Sequence, residues 1–347
     1  MALTNTPRSG KSGARLALMA TCLAVVVVGL GAFTRLSDAG LGCPDWPGCY
    51  GHLLWPRADH EIARADARFP DAPVIAGKPW PEMVHRYFAG SLGLCIMVLA
   101  ALGWRRRKDR DYPSRLPLLL LLLVIWQALF GMWTVTLKLW PQVVTLHLLG
   151  GISVLALLWL LALRLRDCPW RVDHAVARRL AALKPWVVVG MVTVFCQIAL
   201  GGWVTSNYAA LACGDFPTCH SQWWPAMNLA QGFDITQGVG PNYLGGLLES
   251  EARTAIHIGH RIGALVTTVV TLGLSAALFA IPWAPARRLA GALALALIVQ
   301  VSLGIANVLL ALPLPVAVAH NLGAAFLSLT LVTLATKIWT LCDAHDL

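Results

Sequence analysis

Four of the ten histidines in this 347-residue chain, His85, His147, His260 and His320, fall inside long apolar stretches. An ionisable side chain in such a stretch is costly and marks function by default, though a lone histidine there can also serve helix–helix hydrogen bonding. Each lies a few residues inside one end of its stretch, so at about 1.5 Å of rise per residue all four sit at nearly one depth. Neutral imidazole binds iron, copper, zinc and nickel. Zinc asks for three or four protein ligands, and these histidines come two per half of the chain. Haem iron asks for one or two, the porphyrin supplying the rest, so two histidines on facing helices fit one haem per half. Gly150 and Gly151 after His147, and Gly323 after His320, remove bulk where a flat macrocycle would approach. Arg86 and Arg261, each following its histidine, suit haem propionates; the alternative is snorkelling to headgroups.

The halves differ at one chemically informative place. Aligning His85 with His260 sets Glu82 opposite His257. Glu82 and His85 are three residues apart and share a helix face, as do His257 and His260. A carboxylate beside one ligand pair can handle protons, which points to one reactive site and one electron-transfer or structural site. An interfacial position is the alternative for Glu82. Of nine cysteines, four form two C-x5-C pairs, Cys43 with Cys49 and Cys213 with Cys219. In an oxidising compartment each pair can close as a disulfide, worth about 2 kcal/mol for so short a loop. A redox-active thiol pair and metal binding are the rivals. The spacing is not C-x2-C, and the nearby His52 and His220 do not match in position. Cys22, Cys95, Cys168, Cys196 and Cys342 read as inert thiols.

The elements that must position these residues are membrane spans. Hydrophobic residues make up 57% of the chain and charged ones 13%, about half the usual charged share. That excludes a soluble domain, a disordered chain, a collagen-like repeat and a small disulfide scaffold. Stretches of about 20 apolar residues predict eight helices at approximately 14–36, 82–104, 116–138, 143–163, 185–207, 254–281, 289–311 and 314–338. The net charge of +10 sits in short loops. Arg8, Lys11 and Arg15 precede the first span, and Arg105, Arg106, Arg107, Lys108, Arg110 and Arg115 follow the second. Arg164, Arg166, Arg171, Arg178, Arg179 and Lys184 follow the fourth, and Arg287 and Arg288 the sixth. The segment 208–252 before the sixth span has no Lys or Arg. The positive-inside rule then predicts both termini in the cytoplasm, with 37–81 and 208–252 facing outward, and leaves the basic residues as topology signals with no nucleic-acid role. The 15 tryptophans suit an interfacial belt and loops packed over the haem edges.

The chain is also written twice. GAFTRLSDAGLGCPDWPGC from Gly31 aligns without gaps on GGWVTSNYAALACGDFPTC from Gly201. Trp55-Pro56 matches Trp224-Pro225, His85-Arg86 matches His260-Arg261, QALFG from Gln127 matches QVSLG from Gln300, and HLLGG from His147 matches HNLGA from His320. Four spans per copy is an even number, so the copies run the same way through the membrane, as a parallel repeat. The expected fold is an all-α integral membrane protein of eight transmembrane helices in two pseudo-symmetric four-helix bundles, 1–175 and 176–347.

The segments TRLSDAGLGCPDWPGC, EMVHR, TLHLLGG, CGDFPTC, GHRIGAL and AHNLGAAF resemble the haem A synthase family, of the kind with cysteine pairs in both outer loops. The resemblance spans nearly the whole chain. It implies a multi-pass enzyme of the bacterial inner membrane that oxidises the C8 methyl of haem O to the formyl of haem A for terminal oxidases. Glu82, His85 and His147 would form the N-terminal site for haem O, and His260 and His320 would ligate a resident haem b. The family's disulfide carries over onto Cys43–Cys49 and, by the repeat, onto Cys213–Cys219. Implied partners are haem O and the lipid bilayer, with the enzyme that makes haem O, an electron donor and a second copy of the chain as candidates. A dihaem b-type cytochrome that only moves electrons also uses four histidines, but gives no reason for Glu82 to lack a counterpart. A haem carrier predicts reversible binding with the porphyrin unchanged.

Overall fold

Leu94, Met97, Val98, Leu122, Ile125, Val266 and Val269 all point away from the rest of the protein, an arrangement that suits hydrocarbon and not water. A computed structural model describes residues 11–166 and 169–343. In chain order its helices are α1 (Ala14–Leu36), α2 (Asp59–Arg68), α3 (Pro79–Arg105), α4 (Arg115–Thr136), α5 (Pro141–Arg166), α6 (His174–Ala182), α7 (Lys184–Ser206), α8 (Leu229–Gly232), α9 (Ser250–Phe279), α10 (Ala284–Leu309) and α11 (Leu314–Trp339). Eight of these regions are long and apolar enough to cross a membrane, with α6 and α7 counted as one. The fold is that of an all-α integral membrane protein.

Helices α3 and α10 begin several residues before their hydropathy does. Both carry proline in the first turn, where the missing N–H has no helical partner to lose. Inside the spans, hydroxyls bond back to their own helix: Thr21 to the Ala17 carbonyl, Thr267 to Gly263 and Thr333 to Leu329. In hydrocarbon such a donor has no water to turn to. Four features lie outside the expected plan. Helix α2 and the single turn α8 stand in the long loops, and α6, capped by Asp173 accepting the Val176 N–H, precedes α7. A two-residue parallel ladder joins β1 (Arg171–Val172) to β2 (Cys342–Asp343). Ladders and turns this short show no periodicity in sequence.

Helices α1, α3, α4 and α5 pack in a ring, and α7, α9, α10 and α11 pack in a second ring in the same order. The rings meet where α1 touches α11, α5 touches α7, and α5 touches α11. Backbone detail repeats as well. Left-handed residues recur at Asp38 and Tyr208, at Tyr50 and His220, and at Lys138–Leu139 and Ala311–Leu312; cis bonds recur at Trp46–Pro47 and Phe216–Pro217.

Among the described residues the largest apolar core lies toward one end of the helices. Ala17, Ala20 and Ala24 give α1 a face of small residues, letting it approach Leu99, Leu155 and Leu158 closely, as close backbone packing in lipid requires. Leu165, Leu278, Leu293, Leu331 and Ile338 continue this core at the end that carries the basic loops. Toward the opposite end, where the disulfide loops lie, the facing positions are histidine, glycine and glutamine.

Candidate active site

The first turn of α3, which contains Pro79 and Pro81, delivers Glu82 into a buried position beside the first disulfide loop. Glu82 Oε2 accepts the backbone N–H of Cys43 at 3.1 Å, and Oε1 pairs with the Arg86 guanidinium. In the second copy the same backbone donor, Cys213 N–H, points at Nδ1 of His257 at 3.3 Å. The aligned residues Glu82 and His257 therefore fill one structural role with different chemistry. One is an acid held by a cation; the other is a buried imidazole with Nδ1 committed to the loop.

Both loops are closed by disulfides, Cys43–Cys49 and Cys213–Cys219. Inside the first, Asp45 accepts the N–H groups of Tyr50 at 2.6 Å and Gly51 at 2.8 Å. Inside the second, Asp215 accepts those of His220 at 2.7 Å and Ser221 at 2.9 Å. The Thr218 hydroxyl, then the Ser221 and His220 N–H groups, hold the Asp215 carboxyl down to about 2. Arg86 Nη1 donates to the carbonyls of Asp45 at 3.0 Å and Gly48 at 2.6 Å. Arg261 donates to those of Thr218 at 2.8 Å and Asp215 at 2.7 Å. Both arginines thus clamp a disulfide loop onto the helix that bears the histidine. Buried Arg261 Nε has no partner.

His85 on α3 and His147 on α5 stand on diagonal helices of the first ring. His260 on α9 and His320 on α11 do the same in the second. Each ring packs on a glycine of the preceding helix. A Cβ at Gly31 would lie 2.9 Å from His85 Cε1, one at Gly131 3.3 Å from His147, one at Gly201 3.3 Å from His260 and one at Gly304 3.1 Å from His320. Nδ1 of His85, His147 and His320 is buried without a partner. Among the described residues no group of three or more His, Cys, Asp or Glu side chains converges on a metal position. Two facing imidazoles with nothing to complete a protein cage fit an iron that brings its own equatorial ligands.

A model of the COX15-CtaA family, described as cytochrome oxidase assembly proteins, matches residues 14–332. A heme A synthase of Shewanella oneidensis is 47% identical over 94% of this chain and 95% of its own length. A heme A synthase of Caulobacter vibrioides is 28% identical over 92% of this chain and 93% of its own. The chain belongs to the COX15-CtaA family.

Two of the glycines that follow the histidines serve a different purpose from the one their sequence position suggests. Gly150 and Gly323 do not open space for a macrocycle. A Cβ at Gly150 would meet Gln127 Nε2 at 1.8 Å, and one at Gly323 would meet Gln300 Oε1 at 2.3 Å. These glycines make room for glutamines, while Gly151 faces open space. Gln197 lies over Gly263 in the same way. Its Nε2 stands 3.1 Å from His260 Nδ1 and donates to the His260 carbonyl at 3.0 Å, and Gln300 Nε2 stands 3.4 Å from His320 Nε2. In sequence Gln127 and Gln300 stand only as markers of the repeat, with no link to the histidines. The signal was present as glutamine four residues before a glycine, paired with glycine three residues after a histidine. Of the remaining thiols, Cys22, Cys196 and Cys342 are exposed and Cys95 is half-buried; Cys168 lies outside the described residues.

Proposed function

We propose that this chain is a haem A synthase that converts the C8 methyl of haem O to a formyl group by two successive hydroxylations, the second giving a gem-diol that loses water. The observation that carries this reading is the asymmetry between two otherwise matching imidazole pairs. Only the pair His85 and His147 has a carboxylate one helical turn away. In this reading 1–175 holds haem O between His85 and His147, and 176–347 holds a resident haem b between His260 and His320. A haem there supplies one-electron transfer. His260 is favoured over His257 as its ligand because His260 repeats the glycine contact of His85, whereas His257 Nδ1 is engaged by the Cys213 N–H. The open Nε of Arg261 is a donor left for a propionate.

The chain's own contribution at the reacting carbon is positional and electrostatic. Glu82 is fixed at both oxygens, by Arg86 and by the Cys43 N–H, so its charge has one orientation. So placed, it takes up a proton as the methyl is oxidised, or stabilises positive charge developing at that carbon. The loop clamped by Arg86 excludes water from the same edge. The distribution of Lys and Arg supports a place in the bacterial inner membrane with both termini cytoplasmic.

The test is expression in membranes that supply haem O, followed by haem extraction, chromatography and mass determination. Haem A and its hydroxylated intermediate are the expected products. Haem O recovered unchanged in the presence of reductant would leave a dihaem cytochrome or a carrier as the function.

A further inference from the structure

Four helix pairs carry the four histidines, and three of them share a device that the fourth lacks. In α4 with α5, α7 with α9, and α10 with α11, a glutamine one turn before the glycine under the imidazole crosses to the next helix. It occupies the space above a glycine three residues past the histidine. The sets are Gln127 with Gly150, Gln197 with Gly263, and Gln300 with Gly323. The two residues come as a unit, because a Cβ at the second would stand 1.8, 2.2 or 2.3 Å from the glutamine's terminal amide. In α1 with α3 the corresponding residues are Val27 and Phe88. His85 therefore has no glutamine side chain beside it, and its ring packs on Gly31, the closest of the four glycine contacts.

Groups that hydrogen-bond or wall in a ligating imidazole fix its orientation, and their loss typically costs about 10–100-fold in metal affinity. A resident haem benefits from such bracing at both ligands. A haem that enters as substrate and leaves as product does not. Taking the proposed function as its basis, we infer that His85 is the ligand that lets go, and that Val27 and Phe88, in place of glutamine and glycine, make the site between His85 and His147 exchangeable. His147, with Gln127 seated over Gly150 one turn along its helix, keeps hold on its side while His85 swings away. In the second bundle Gln197 and Gln300 stand against the rings of His260 and His320 and wall in both, as retention requires. Val27 and Phe88 are positioning residues; they act through His85.

The inference is tested on the full chain in detergent, with haem O as the bound probe. Loss of haem O to excess apomyoglobin and the rate of carbon monoxide binding to the reduced protein are both measured. Carbon monoxide reports an axial ligand that vacates iron, which a general loss of stability does not mimic at constant resident-haem spectrum. The double variant V27Q/F88G builds the missing brace, and is expected to slow both rates by about 10-fold or more without altering the resident haem. Conversely, Gln197→Met removes a brace without crowding Gly263, and is expected to speed resident-haem loss by a similar factor. Should the double variant fail to hold haem, the Gln197→Met arm decides alone. Unchanged rates in the graft, or resident haem held as firmly without Gln197, would overturn the inference. Neither arm requires turnover, so a failure here is distinct from failure to find haem A.

Discussion

At the scale of single residues, the chemistry rests on side chains that break an apolar pattern, and this explains which were legible. His85, His147, His260, His320 and Glu82 stand out in sequence because hydrocarbon tolerates such groups only for a reason. What each touches could not be read so directly. Arg86 and Arg261 suit haem propionates or snorkelling to headgroups in sequence; the structure places both on loop carbonyls, a third role. Glu82→Gln separates charge from shape. The amide oxygen can still accept the Cys43 N–H, but the negative charge opposite Arg86 is gone. Haem A formation is expected to fall by about 100-fold or more, with the spectrum of the second-bundle haem intact, whereas His320→Ala should disturb that spectrum. Full turnover by Glu82→Gln would mean that the difference between the halves is not catalytic.

At the scale of elements, the sequence resolves helices well and loops poorly. Eight spans follow from length and hydropathy, but the loops' internal architecture is held by side-chain to backbone bonds that leave no periodic trace. Asp45 and Asp215 are plain acidic residues until the fold wraps N–H groups around them. The second loop offers a pH test. The Thr218 hydroxyl and backbone donors favour ionised Asp215, so its carboxyl titrates below its ordinary range, down to about 2. A folded-state value lower than the unfolded one means that the contribution is present above about pH 4 and lost as pH falls toward 2. Reduction of Cys213–Cys219 by a phosphine, normalised to a free peptide disulfide, should stay flat from neutral pH to about pH 4 and accelerate below it. Asp215→Asn should show the fast rate already near neutrality; a variant reduced at the wild-type rate would show that Asp215 does not order the loop.

At the scale of the whole molecule, a duplicated chain has a particular problem at its seam. Near a pseudo-twofold axis, elements meet their own counterparts, so α5 packs on α11, and a charged residue repeated in both copies would face itself. The sequence avoids this at Arg35, whose aligned counterpart is Thr205. Arg35 Nη2 donates to the Thr205 carbonyl at 2.7 Å, and Nη1 to the Tyr208 hydroxyl at 2.8 Å, with the guanidinium carbon 4.2 Å from that ring's centre. Trp159 donates to Thr333 Oγ1 at 2.8 Å elsewhere on the seam. Alignment of the halves identifies Arg35 as a mismatch, but only the packing of α1 and α7 ends reveals its purpose. With its side chain 14% exposed, Arg35 makes bonds that solvent screens little. Arg35→Met keeps most of the stem and removes the cation, so it should cost about 1.5–3 kcal/mol in all. Tyr208→Phe removes one acceptor and keeps the ring, so it should cost about 0.5–1.5 kcal/mol. Both should lower the thermal midpoint of the haem-loaded protein while leaving the haem spectra unchanged at low temperature. Equal midpoints for Arg35→Met and the wild type would show that apolar contacts of α5 with α11 hold the halves together without it.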